Sequence, residues 1–177
     1  MHRLFVALRP PPSIRQACLA AMEDGPPGWA WQEAEQLHLT LRYIGAVDRP
    51  VAEDVAGALE SLHVPSVEIG LAGVGWFDQG PRGALFARCG PAGPLAALYK
   101  KIDHALVRAG LKPEARAFLP HITLARRRSG AVDPADWLER KAGLASAAER
   151  VGAMILFESH LGRQGSSYEA VASFPLV

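Results

Sequence analysis

Two short motifs in the sequence carry residues that can do acid–base chemistry. They are His38-Leu39-Thr40-Leu41 and His121-Ile122-Thr123-Leu124, and they contain both of the chain's threonines. Residues i and i+2 of a strand point to the same face, about 6.5–7 Å apart. Each motif, if extended, therefore presents a histidine and a threonine on one face and turns its apolar residues toward a core.

Two imidazoles in one cleft suit paired proton transfer. Imidazole titrates near neutral pH, so one ring can act as general base while the other acts as general acid. A threonine hydroxyl can donate to a phosphate oxygen, and Arg126, two residues after the second motif, can stabilise charge on phosphorus. No serine or cysteine nucleophile stands in an obvious elbow. The pattern predicts in-line phosphoester cleavage by water or a ribose hydroxyl, with His38 and His121 as catalytic residues.

Two other interpretations of these histidines are a packed core position and a metal site. A single motif of this kind is more often a packed core histidine, but two copies favour function. A zinc ion held by His38, His121 and a third ligand is the competing functional hypothesis. Because the sequence has no HxxxH, HxH or clustered carboxylates near the motifs, we predict no metal and no cofactor. The remaining histidines lack any partner pattern and are interpreted as surface or helix-face residues: His2, His63, His104 and His160.

Hydrophobic periodicity and turn residues divide the chain into alternating strands and helices. The predicted strands are Leu4–Leu8, Leu37–Leu41, Val67–Phe77, Ala84–Ala87, His121–Leu124, Met154–Leu161 and Tyr168–Phe174. The predicted helices span about 13–23, 50–62 and 94–109, and a fourth opens at Asp133-Pro134.

The order of elements repeats with a nearly constant offset. Phe5 and Phe86 are 81 residues apart, His38 and His121 are 83 apart, and Pro50 and Pro134 are 84 apart. This spacing predicts an internal duplication, with halves of about 1–83 and 84–177 in one domain. We therefore expect an α+β fold with two pseudo-twofold-related lobes. Each lobe is an antiparallel sheet with helices on its outer face, and the active-site cleft lies between them.

Composition limits the classes of protein this chain can be. It has 177 residues and a formal net charge of +1, but residues 1–80 sum to −5 and residues 81–177 to +6. The basic excess gathers in 112–128, which suits a phosphate-bearing partner or a solvated surface. Two isolated cysteines exclude a disulfide framework. With no long apolar run and no signal-like start, we expect no membrane association and a cytoplasmic location.

Several stretches resemble one known family along essentially the whole chain. They are Arg3–Ala7, Leu37–Gly45 (LHLTLRYIG) and Phe118–Arg126 (FLPHITLAR), together with the paired motifs. They resemble the 2H phosphoesterase superfamily, and within it the RNA 2′,3′-cyclic phosphodiesterases, also called 2′-5′ RNA ligases. The resemblance implies a monomeric, metal-independent hydrolase with no obligate protein partner. It would open 2′,3′-cyclic phosphate ends of RNA to 2′-phosphates, and some relatives reversibly join tRNA halves through a 2′-5′ linkage.

The resemblance also implies a role for each motif residue. His38 would be the general acid for the 3′ oxygen and His121 the general base for water. Thr40 and Thr123 would hold phosphate oxygens, and Arg126 matches a basic position that follows the second motif. The symmetry of the two motifs does not by itself decide which histidine is the acid.

Three further residues are candidate substrate contacts. Arg42 shares the face of His38 and Thr40 if the strand alternates regularly; otherwise it leaves the cleft at the strand end. Phe5 and Tyr43 are candidates for stacking on a base, with core packing as the alternative.

The sequence leaves two alternative functions open. One is a phosphodiesterase acting on small cyclic nucleotides or on ADP-ribose cyclic phosphate. The other is an RNA-end binding module that keeps the cleft without turnover.

Overall fold

Strands and helices alternate along the chain in the computed structural model, which describes residues 1–177. The elements are β1 (His2–Leu8), α1 (Pro12–Met22), β2 (Trp29–Trp31), β3 (Leu39–Val47), α2 (Arg49–Glu60), β4 (Val67–Phe77), β5 (Ala84–Gly90), α3 (Ala92–Arg108), β6 (His121–Arg127), α4 (Ala135–Lys141), β7 (Glu149–Val151), β8 (Ala153–Gly162) and β9 (Gly165–Pro175). None of the four helices is both long enough and apolar enough to cross a membrane.

All the predicted strands and helices are present, with ends displaced by a few residues. Helix α2 begins where the Asp48 side chain accepts a hydrogen bond from the Val51 N–H at 3.1 Å, with Pro50 in the first turn. Strands β2 and β7 were not predicted. Each has three residues, which is too short for a period-2 pattern to be recognised.

The strands form one curled antiparallel sheet in the order β7-β4-β5-β6-β3-β1-β8-β9, with β2 added alongside β6. One lobe is β3-β1-β8-β9 and the other is β7-β4-β5-β6, so the α+β class with two antiparallel lobes is confirmed. The lobes do not follow the sequence halves. Strand β4 of the first half pairs with β5, and β8 of the second half pairs with β1. The internal duplication itself stays a prediction.

The two faces of the sheet have different surroundings. Alternate residues of β1, namely Leu4, Val6 and Leu8, belong to the main hydrophobic core, which also contains buried residues from all four helices. Phe5 and Ala7, which point the other way, form a small separate cluster with Phe157. The helices therefore cover one face of the sheet and leave the opposite face for the cleft.

Candidate active site

The two motifs meet where the lobes join. Strands β3 and β6 are antiparallel neighbours, and Leu39 pairs directly with Ile122. Both of these residues are fully buried, so the flanking histidines and threonines point to the opposite face, which carries the cleft. The sequence predicts a cleft that separates the two lobes. In the structure the motif strands pair edge to edge and join the lobes into one sheet. The antiparallel register sets each histidine nearest the threonine of the other motif.

Both imidazoles are held in the same way. His38 Nδ1 lies 2.7 Å from the Gln36 carbonyl oxygen, and His121 Nδ1 lies 2.6 Å from the Leu119 carbonyl oxygen. A carbonyl oxygen only accepts, so Nδ1 carries the proton and donates it in both rings. The Nε2 atom of each ring is left to act on substrate: it accepts a proton when the ring is neutral and donates one when it is charged.

The cleft favours the neutral form of both histidines. The pKa of His38 is lowered to about 4, mainly by burial; the nearby charges of Arg126, His121 and Arg9 contribute to the lowering, and the Gln36 hydrogen bond opposes it. Burial also lowers the pKa of His121, again with a contribution from Arg126. Desolvation and neighbouring cations both disfavour an imidazolium. A negatively charged phosphate in the cleft counteracts the neighbouring cations and favours the imidazolium.

Aromatic rings enclose His38 on its buried side. The ring centroid of Phe5 lies 4.9 Å from that of His38, and the Tyr168 centroid lies 5.0 Å away in an edge-on arrangement. Phe157 stacks on Phe5 at 5.2 Å and completes the enclosure. These rings remove water from the imidazole and explain the strong lowering of its pKa.

His121 has a matching enclosure in the other lobe. The centroids of Phe86 and Phe77 lie 5.2 Å and 5.3 Å from that of His121, and the two phenylalanines contact each other at 4.5 Å. Phe86 is edge-on to His121, whereas Phe5 is tilted against His38. Each motif histidine therefore rests on a pair of phenylalanines.

One cavity of about 380 Å³ brings the principal predicted residues together. It is lined by His38, Thr40, His121, Thr123 and Arg126, among others. Arg126 is exposed and forms no ion pair with a carboxylate, so its guanidinium is available to an anion. A smaller cavity of about 220 Å³ adjoins it and shares His38, Thr40 and Arg126.

Arg42 is buried and committed to the protein. Its Nε donates to Asp103 Oδ1 at 2.7 Å, its other two nitrogens donate to the Tyr43 and Lys112 carbonyl oxygens, and Glu114 lies 3.9 Å away. Its side chain is only 6% exposed. The guanidinium thus ties β3 to α3 and to the following loop, which favours a structural role over a phosphate contact.

The regular alternation that would put Arg42 beside Thr40 is interrupted. Thr40 pairs with Ala7, but Arg42 pairs with Val6, so Leu41 is an extra residue in the β3 strand. A bulge of this kind shifts the following side chains to the other face. Arg42 therefore takes the helix face with Val6, although it still borders the cavity that contains Thr40, and a phosphate contact from Arg42 stays a prediction.

Tyr43 and Phe5 occupy different positions relative to the cleft. Tyr43 pairs with Phe5, is 40% exposed and lines both cavities, so its ring is accessible to a ligand. Phe5 is only 3% exposed beneath His38. Phe157 and His38 cover its faces, which favours core packing, although Phe5 still borders the smaller cavity, so stacking on a base stays a prediction.

Several cavity residues were not identified from the sequence. Tyr99 from α3 stacks on Phe118 with 4.6 Å between ring centroids and an interplanar angle of 7°. Phe118 lies in the FLPHITLAR stretch and Arg116 in the basic stretch, which were the available signals. No pattern in the sequence pointed to Tyr99, because only the fold brings α3 to the cleft. The cavity is further lined by Phe77, Gln79, Arg82 and Glu114.

The sequence of the chain is similar to that of one known family. The 2′-5′ RNA ligase superfamily model matches residues 10–161. An RNA 2′,3′-cyclic phosphodiesterase from Aeropyrum pernix is 33% identical over 143 residues, which cover 78% of this chain and 81% of the relative. A protein of the same name from Methanocaldococcus jannaschii is 27% identical over 125 residues, 70% of each chain.

A solved structure extends the likeness to the whole fold. Escherichia coli LigT complexed with NADP+ superposes with a TM-score of 0.77 at 25% identity, covering 99% of this chain and 98% of LigT. The family match spans most of the sequence and both motifs. The chain therefore belongs to the 2′-5′ RNA ligase superfamily, and it is a phosphodiesterase.

Proposed function

We propose that the protein hydrolyses the 2′,3′-cyclic phosphate at the end of an RNA to a 2′-phosphate, with two histidines as acid and base. The observation that carries this proposal is the shared arrangement of the imidazoles. Each donates Nδ1–H to the carbonyl oxygen two residues earlier and keeps Nε2 free in one cleft. An in-line displacement needs one group that takes a proton and another that gives one. Two fixed imidazole rings with free Nε2 atoms can fill these two roles.

The proposed reaction is a single displacement at phosphorus. Nε2 of neutral His121 takes a proton from water as the water oxygen forms a bond to phosphorus. The bond from phosphorus to the 3′ oxygen breaks, and Nε2–H of protonated His38 gives its proton to that oxygen. The product has a 3′-hydroxyl and a 2′-phosphate, and solvent then restores the two protonation states.

The charge that develops on phosphorus is met by donors in the same cavity. Thr40 and Thr123 donate hydroxyl hydrogens to the non-bridging oxygens, and the exposed guanidinium of Arg126 supplies positive charge. Donors already in place where charge grows stabilise a transition state more than a ground state.

The assignment of His38 as acid comes from the family resemblance. Burial lowers the pKa of His38 to about 4, so this ring gains its proton only when the anionic substrate lies beside it and raises its pKa again. His121, whose pKa is lowered as well, serves as the base.

An RNA end is the substrate that the surroundings favour. Arg82 and Arg116 add positive charge to the cavity that contains Arg126. Both relatives described above are named RNA 2′,3′-cyclic phosphodiesterases. A 5′-hydroxyl of a second RNA, such as a tRNA half, could replace water as the attacking group. The product would then be a 2′-5′ phosphodiester, so ligation uses the same two proton transfers.

A smaller substrate is the second candidate. The cavity of about 380 Å³ is near the lower end of the size range of ligand pockets and suits one nucleotide. The LigT relative is a complex with NADP+, a dinucleotide. A cyclic mononucleotide or ADP-ribose cyclic phosphate is therefore the alternative substrate class.

Phosphorus NMR of a short RNA ending in a 2′,3′-cyclic phosphate tests the reaction directly. In the presence of EDTA we expect conversion to a 2′-phosphate, lost in His38→Ala and His121→Ala but retained in the matched control His104→Ala. A 3′-phosphate product, or activity that requires metal, would contradict the proposal. Binding without turnover in the unaltered protein would identify an RNA-end binding module.

The salt dependence of binding distinguishes the two substrate classes. An RNA that contacts several phosphates loses affinity steeply as salt rises, whereas a mononucleotide does so weakly. We expect a steeper slope for a 10-nucleotide RNA than for a cyclic mononucleotide. Equal slopes and equal kcat/KM values would favour the small substrate.

A further inference from the structure

We propose a second site on the helix side of the sheet, where Glu158, His160 and Glu169 bind a borderline divalent cation such as Zn²⁺. One possible ligand atom from each of these residues lies within 4.8 Å of the other two. Glu158 and His160 are on β8 and Glu169 is on β9. The site does not depend on the function proposed for the cleft.

The strand register explains why these side chains gather. Glu158 pairs directly with Glu169, and His160 is two residues from Glu158, so all three point to one face. Phe157 and Tyr168, the neighbours of the two glutamates, contact the His38 side of the sheet instead. The cluster is therefore behind the cleft and separate from it.

The observation that points to a cation is that histidines alone are paired with the two carboxylates, His2 with Glu158 and His160 with Glu169. Two carboxylates directly opposite each other on paired strands repel and destabilise the pairing. Neither Glu158 nor Glu169 has a lysine or arginine within ion-pair distance, and the nearby partners are histidines. A divalent cation between the carboxylates would replace this repulsion with attraction.

The donor set has the chemistry of a transition-metal site. His160 Nε2 lies 3.1 Å from Glu169 Oε2, so one imidazole nitrogen and a carboxylate oxygen already converge. Glu158 Oε1 is 2.9 Å from His2 Nδ1, which can hold this carboxylate as an outer partner of the metal. One nitrogen and two oxygens, with water in the fourth position, suit Zn²⁺. His160 and Glu169 are exposed, so their side chains can rotate onto an ion.

Zinc titration of the tag-free protein by calorimetry, after EDTA treatment and dialysis, tests this proposal. We expect one Zn²⁺ per chain. His160→Ala and Glu169→Gln should each weaken binding at least about tenfold, since even removal of an outer partner costs that much. Zinc should also raise Tm in the unaltered protein and not in these variants.

The cleft histidines are the control, because they could also bind zinc. A His38→Ala, His121→Ala double variant should keep the zinc site. Loss of binding in the double variant with retention in His160→Ala would assign the zinc to the cleft and overturn the proposal. The absence of stoichiometric binding in the unaltered protein, or binding that no variant weakens, would overturn it as well.

Discussion

At the scale of single residues, two backbone carbonyl oxygens decide what the histidines can do. By accepting Nδ1–H, the carbonyls of Gln36 and Leu119 fix the tautomer and the ring orientation, so that Nε2 is the working atom. The aromatic rings and Arg126 then set how readily each Nε2 holds a proton. The carbonyls also raise the pKa of the rings they hold, but burial and Arg126 outweigh them, so proton affinity can be altered without moving the rings.

Replacement of Arg126 by methionine should raise the pKa of both histidines, because a cation that disfavours imidazolium is removed. We expect an upward shift of both pKa values, because less work is then needed to place a positive charge on either ring. The bell-shaped pH dependence of kcat/KM should move to higher pH, with a lower maximum. Histidine ring resonances followed by NMR titration measure this. Arg128→Met is the control, and unchanged histidine titrations in Arg126→Met would refute the electrostatic account.

The two aromatic enclosures should act independently. Tyr168→Ala exposes His38 to water, so the pKa of His38 should rise toward its usual value of 6.5 while that of His121 stays constant. Phe77→Ala should raise the pKa of His121 and leave that of His38 constant. The same NMR titration reports both rings. A shift of both histidines in either variant would mean that desolvation is not local.

At the scale of elements, the spacing of residue types predicted the motif strands and the shared face of each histidine and threonine. Alternation over HLTL and HITL is a local property of the backbone, so it is readable from the sequence. The bulge at Leu41 cannot be read from the sequence, because it arises from the pairing of β3 with β1. Tyr99 reached the cavity for a similar reason: the docking of α3 depends on contacts distant in sequence. The duplicated order of elements was visible in the sequence, but the exchange of strands β2, β4, β8 and β9 between the lobes was not.

Replacement of Arg42 by methionine should destabilise the protein by about 3–5 kcal/mol, because Asp103 would be left as an uncompensated, largely buried charge. Urea unfolding measures this. Arg49→Met removes an exposed pair with Glu53 and should cost less than about 1 kcal/mol. Similar costs for the two variants would show that Arg42 is not a structural tie between β3 and α3.

At the scale of the whole molecule, the cleft exists only where both lobes are complete. Each lobe takes two strands from the other half of the chain, β8 and β9 in one lobe and β2 and β4 in the other, and the motif strands pair at the junction. The arrangement that positions the histidines therefore depends on global folding. The stability of the fold also depends on the histidines, since burial of an imidazole links folding to pH.

Stability should fall as the pH drops from 6.5 toward 4. The unfolded chain binds a proton on His38 below its usual pKa of 6.5, whereas the folded protein does so only near a pKa of about 4. The unfolded state binds more protons in this window, so acid favours unfolding. Between pH 7 and pH 5 this costs on the order of 2 kcal/mol. Urea unfolding at both pH values should show a smaller loss in His38→Gln than in His104→Gln, and equal losses would contradict the account.

The central claim is that the two histidines divide acid and base between them, and a substrate with sulfur in place of the 3′ oxygen tests it most directly. A thiolate leaves without protonation, so the general acid becomes dispensable while the base does not. The rate of release of the 3′-thiol would be measured for the unaltered protein, His38→Ala and His121→Ala. We predict that the sulfur substrate restores most of the activity of His38→Ala and leaves His121→Ala inactive. Rescue of His121→Ala alone would reverse the two roles, and rescue of neither variant would contradict paired acid–base catalysis.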